Sequence, residues 1–159
     1  MTWKISLALV LLLSAVGIPV SSFASYSAKP AGIQYDERLM EAAELATLSA
    51  RKRSHRHCWR AVKDALYEAN VIPYRPTSKY AWQAGEELVE KFSFIKLDVT
   101  DPFEAPIGSI LVYGGPGAGH VEFRTEDGFV SDFSNPRPSH RPLIGVYVSP
   151  EAVGKSIRE

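Results

Sequence analysis

The chain has 159 residues, 18 of them Lys or Arg and 18 Asp or Glu, for a formal net charge of zero. That balance argues against a general electrostatic attraction to nucleic acid, and a single cysteine, Cys58, excludes an internal disulfide framework. With an export leader set aside, about 135 residues remain, enough for one domain with a core and too few for two.

Residues 1–24 read as a signal peptide. Met1 to Lys4 give a short positive start, ISLALVLLLSAV is apolar, and Gly17 and Pro19 then break the helix. Ser22 and Ala24 are small, as a signal peptidase requires at its two recognition positions. The apolar run is about 16 residues, short of the ~20 that cross a bilayer core. The expected protein is periplasmic or secreted, cut near Ala24, with no stable membrane anchor afterwards. Residues 25–35, with Pro30 and Gly32, form a lead-in, and residues 36–159 form one domain.

Helices come first. Asp36 is a plausible cap for a helix to about Ala50, with Leu39, Ala42, Ala43, Ala46 and Leu48 apolar. A second helix begins near Cys58 and puts Trp59, Val62, Ala65, Leu66 and Ala69 on one face. It ends at Asn70, before Pro73. A third spans about Ser78 to Lys91. Strand candidates follow: SILVY, GHVEFRT, FVSDF and IGVYV. Helices followed by strands predict an α+β fold with an antiparallel sheet.

The lone thiol is buried filler, a metal ligand, an intermolecular linker or a nucleophile. Its position at a helix start, among Arg51, Lys52, Arg53, Arg56 and Arg60, favours the anionic form of sulfur. His120 lies 62 residues downstream in a strand-like segment, and the pairing makes a cysteine hydrolase the first hypothesis.

The hairpin around His120 gives a candidate third group. Glu126-Asp127-Gly128 reads as a three-residue loop with glycine in the left-handed position. That register sets Val121 opposite Phe133, Phe123 opposite Ser131 and Thr125 opposite Phe129, gathering the aromatics on one face. His120, Glu122, Arg124 and Asp132 share the other, with Asp132 diagonal to His120. A two-residue loop would instead bring Phe133 to His120, because a one-residue slip flips a strand.

In HCWRAV, GHVEF and FVSDFSN, the order and spacing resemble the papain-like cell-wall hydrolases of the NlpC type and the CHAP type (cysteine- and histidine-dependent amidohydrolase/peptidase). The resemblance spans about Ser54 to Val148. It implies a papain-like core in which Cys58 is the nucleophile, His120 the general base and Asp132 the residue that orients the histidine. It also implies action on peptidoglycan peptide stems, as a monomer and without a cofactor. Trp59, Gly117, Gly119 and Glu122 are the expected substrate-binding residues, with the GGPGAG loop as a wall that lets substrate backbone approach. Two readings from other classes stand beside this one. One is a non-catalytic cell-wall-binding module; the other is a small metal-binding protein using the tract His55-Arg56-His57-Cys58.

Overall fold

The structure is a computed structural model and describes residues 36–152. The expected signal peptide and lead-in lie outside the described residues.

Helix α1 spans Glu37–Ser49, and the Asp36 carboxylate caps it by accepting from the Arg38 N–H at 3.0 Å. Helix α2 spans Cys58–Glu68 and stops where Asn70 turns left-handed, at φ 54°. Both helices bury one stripe, with Leu39, Ala42, Ala43 and Ala46 in α1 and Trp59, Val62, Ala65 and Leu66 in α2. Helix α3 spans Ala84–Phe92 after a single 3-10 turn at Ala81–Gln83, so it begins later than Ser78. The cause is Glu87. Its carboxylate accepts from the N–H groups of Thr77 (2.7 Å) and Ser78 (2.9 Å), which folds that segment back against the helix.

Six strands form one antiparallel sheet: β1 (Ile95–Leu97), β2 (Ile110–Tyr113), β3 (His120–Thr125), β4 (Gly128–Val130), β5 (Ser134–Asn135) and β6 (Leu143–Val148). Their order is β1-β6-β2-β3-β4-β5. The helices and the antiparallel sheet make an α+β fold, as expected, although the short edge strands β1 and β5 were not foreseen. Ile110, Val112, Val121, Phe123 and Val130 pack with the helices. The opposite face holds a smaller core of Leu111, Tyr113, Phe129 and Val146, closed by Ala105. Full burial of each such aliphatic or Phe side chain favours folding by about 1.5–3 kcal/mol.

The β3–β4 hairpin departs from the expected register. Thr125 pairs with Gly128, Arg124 with Phe129 and Phe123 with Val130, leaving a two-residue loop, Glu126-Asp127. Phe129 therefore faces the smaller core, away from Phe123. Gly128 is required for close approach: a Cβ there would sit 2.5 Å from the Asn135 carbonyl oxygen on β5. Asp132 and Phe133 fall beyond the end of β4.

Candidate active site

Two segments meet at Cys58 and His120. Cys58 is the first residue of α2, half-buried and free of any disulfide. N–H groups in a first helical turn have no intrahelical acceptor, so those beside Cys58 are free for another acceptor. His120 opens β3, and its pairing with Tyr113 places it at the end of the β2–β3 ladder. The rings of Tyr113 and Phe133 flank its imidazole, with centroids 6.0 and 6.4 Å away.

The imidazole has two partners. His120 Nε2 lies 3.0 Å from Glu122 Oε2, which leaves Nδ1 as the ring nitrogen for the Cys58 thiol. Burial alone would pull the histidine pKa down. Hydrogen bonds with Cys58 and Glu122, reinforced by their charges, outweigh burial and push it up to about 9. At neutral pH the arrangement favours an imidazolium held between sulfur and carboxylate. Glu122 is itself fixed: it is buried, and its Oε1 accepts from the Ser139 N–H at 3.1 Å. The buried Tyr113 phenol beside it is pushed well above its ordinary value, by burial first and then by the Glu122 charge.

Asp132 does not reach His120, and the expectation that it orients the histidine is corrected. Its Oδ2 accepts from the backbone N–H groups of His55 (2.6 Å) and His57 (3.2 Å) and from Ser54 Oγ (3.3 Å). Its backbone carbonyl accepts from the Arg51 N–H at 3.0 Å. The reason is the hairpin register: β4 ends at Val130, which frees Asp132 to turn toward the segment before α2. Burial opposes its charge, but these donors, the His57 and His55 N–H groups foremost, hold its carboxyl below the usual carboxylate range. Asp132 thus fixes the exposed turn 51–57, where Arg56 is left-handed at φ 63°, and so sets the start of the helix carrying Cys58.

The four expected substrate-binding residues separate. Trp59 is buried and donates from Nε1 to Ser78 Oγ at 2.9 Å, so it is core. Glu122 is engaged with His120 and Ser139. Gly119, at φ 74°, serves the chain's own packing: a Cβ there would lie 2.5 Å from the Tyr113 carbonyl oxygen and 2.9 Å from Trp82 Cβ. Gly117, at φ 79°, has nothing within 4 Å of that position and stands in open space. Among the described residues no three His, Cys, Asp or Glu side chains gather in a way that could hold a metal ion. The backbones of His55 and His57 are tied to Asp132, while the Cys58 side chain is engaged with His120. The role of Glu122 as the partner of His120, and Ser139, are what sequence reasoning missed. The spacing of His120 and Glu122, two apart on one strand, carried the signal for the first.

No family model and no curated protein matches the chain. Among solved structures, it matches a chain from the type VI native effector-immunity complex Tae3-Tai3 of Ralstonia pickettii. Identity is 19%, the match covers 70% of this chain and 98% of that one, and the TM-score is 0.56. The two chains share a fold.

Proposed function

We propose that this protein is an exported cysteine hydrolase that cleaves peptide or amide bonds of peptidoglycan stems. The observation that carries the reading is the imidazole of His120 bonded to the buried Glu122 carboxylate and electrostatically coupled to the Cys58 thiol. In this reading the sulfur attacks the amide carbonyl carbon, forming a C–S bond while the carbonyl oxygen becomes an oxyanion. N–H groups of the first turn of α2, Cys58 among them, face that oxygen. The imidazolium gives its proton to the nitrogen, the C–N bond breaks, and the amine leaves. His120 then takes a proton from water as the water attacks the thioester, the C–S bond breaks, and a carboxylic acid leaves with sulfur and imidazolium restored to their starting state. Glu122 keeps the ring oriented and supports its positive charge throughout.

The related complex pairs an effector with an immunity protein. A non-catalytic partner has no use for a thiol, an imidazole and a buried carboxylate coupled in series, and this favours the hydrolase reading. The apolar run before Ala24 supports export, and peptidoglycan is the substrate an exported hydrolase would meet. Among the described residues no helix is long and apolar enough to cross a membrane.

The test is mass spectrometry of purified muropeptides incubated with the protein. Expected is a mass gain of one water across one stem or cross-link amide, absent with Cys58→Ala. Intact muropeptides after prolonged incubation with the parent protein would refute the hydrolase assignment.

A further inference from the structure

Tyr80 and Trp82 remain 40% and 43% exposed, with near-parallel rings, 11° between planes and centroids 6.2 Å apart. A contiguous aromatic surface left in water marks an interaction site, whereas hydrophobic side chains exposed singly need no explanation. The location of the pair supports such a role. Two residues before the pair, Ser78 accepts from the Nε1 of Trp59, the neighbour of Cys58. At the other end, the Trp82 N–H donates to the Ala118 carbonyl at 3.2 Å, and Trp82 packs on Gly119, the neighbour of His120. The aromatic pair is thus tied at one end to the nucleophile's segment and at the other to the histidine's.

The platform is also rigid. The Tyr80 N–H donates to Gln83 Oε1 at 3.0 Å, and the Gln83 N–H donates to the Tyr80 carbonyl at 3.1 Å. The backbone that carries the pair therefore has little freedom to lose on binding. Lys79 Nζ lies over the Tyr80 ring, 5.5 Å from its centre, which places a cation beside the pair and leaves Trp82 the open stacking face.

We propose that Tyr80 and Trp82 form a saccharide subsite that stacks an N-acetylhexosamine ring of the glycan strand beside the dyad. The proposal rests on the peptidoglycan reading above for its substrate. A pyranose ring offers a flat face of C–H groups that the exposed face of the Trp82 ring, backed by the stacked Tyr80, covers, while its hydroxyls and acetamide stay in water. A carboxylate carried by the sugar or by the first stem residue meets Lys79. The subsite selects amides lying close to the glycan over those in peptide cross-links.

The test uses the purified chain with Cys58→Ala, so that nothing is cut, and titrates it with a β-1,4-linked N-acetylglucosamine tetramer by calorimetry and indole fluorescence. Binding is expected. It weakens about tenfold with Trp82→Ala or Tyr80→Ala and stays within about threefold with Trp82→Phe, since stacking needs a ring more than an indole N–H. Unfolding midpoints of these variants should match the parent, separating lost stacking from lost structure. No saccharide binding, or equal binding by Trp82→Ala, overturns the subsite. So does a Trp82→Ala variant that weakens only a glycan-free stem peptide, which would make the pair a peptide-binding surface. Saccharide binding without muropeptide cleavage by the parent upholds the subsite and refutes the hydrolase; cleavage without saccharide binding does the reverse.

Discussion

Glu122 Oε2 lies 3.0 Å from His120 Nε2, and the two residues stand two apart on the same strand. Because side chains alternate along a strand, that spacing holds carboxylate and imidazole on one face without help from the turn or a neighbouring strand. The carboxylate is buried and braced by the Ser139 N–H, so it cannot swing away without leaving a donor unpaired.

Glu122→Gln should lower kcat/KM by about 100-fold, because the amide can still orient the ring but no longer supports its charge. The pH profile is the sharper measure. With His120 up at about 9, the parent's alkaline limb should lie near that value, and the Gln variant's limb should move down. A limb that stays in place in Glu122→Gln would show that the carboxylate does not hold the proton.

The same shift has a consequence for stability. The folded histidine binds its proton more tightly than the ordinary value near 6.5, so its contribution is fully present below that pH and is lost as pH rises through about 9. Urea unfolding from pH 6 to 10 should show the parent losing stability over that window, and His120→Ala should flatten the loss.

Cys58→Ala should remain folded and lose activity by about a thousandfold or more, and His120→Ala should lose nearly as much, because groups that act as one unit are not additive. One equivalent of iodoacetamide per chain should abolish hydrolysis at pH 7. Full activity after complete alkylation would remove sulfur from the mechanism.

Asp132→Asn should behave in the opposite way to Glu122→Gln. It weakens the clamp on the His55 and His57 amides, at a cost of about 2 kcal/mol at pH 7 for charge-assisted hydrogen bonds. Its folded carboxyl is lowered, so this contribution is present above the ordinary pKa near 3.9 and disappears as pH falls through the folded value. Parent and variant should therefore converge in stability in acid. The rate should fall by about tenfold through misplacement of the nucleophile, with the alkaline limb unmoved.

Two glycines of one loop should respond differently to alanine. Gly119→Ala meets the Tyr113 carbonyl and Trp82 and should destabilise by about 1–3 kcal/mol. Gly117→Ala shares the positive φ but meets only open space, so its cost should be about 1 kcal/mol. Thermal unfolding of the two variants checks the difference.

Much of the scaffold was legible from local chemistry. Asp36 announces α1, Cys58 opens α2, and the apolar stripes of both helices are those that pack on the sheet. The hairpin register was not legible, for a physical reason. Gathering aromatics on one face is a sound rule when the other face meets water, but this sheet is covered on both sides. Phe129 is as well buried in the smaller core as Phe123 is under the helices, so hydrophobicity could not choose between registers. The error moved the third site group from Glu122 to Asp132. Asp132's actual task, holding backbone N–H groups of a turn 75 residues or more away in sequence, leaves no periodic signature.

Sulfur and imidazole come from segments 62 residues apart, held together in the fold by Asp132 pinning the first segment and by the close approach at Gly119 in the second. In an extended chain they would stand roughly 200 Å apart, at about 3.3 Å per residue. A polypeptide threaded through a translocation channel would therefore carry no working site. Chemical competence would arise with the last folding event and in the compartment where that event happens, so a cell could synthesise this chain without exposing its own amides to it.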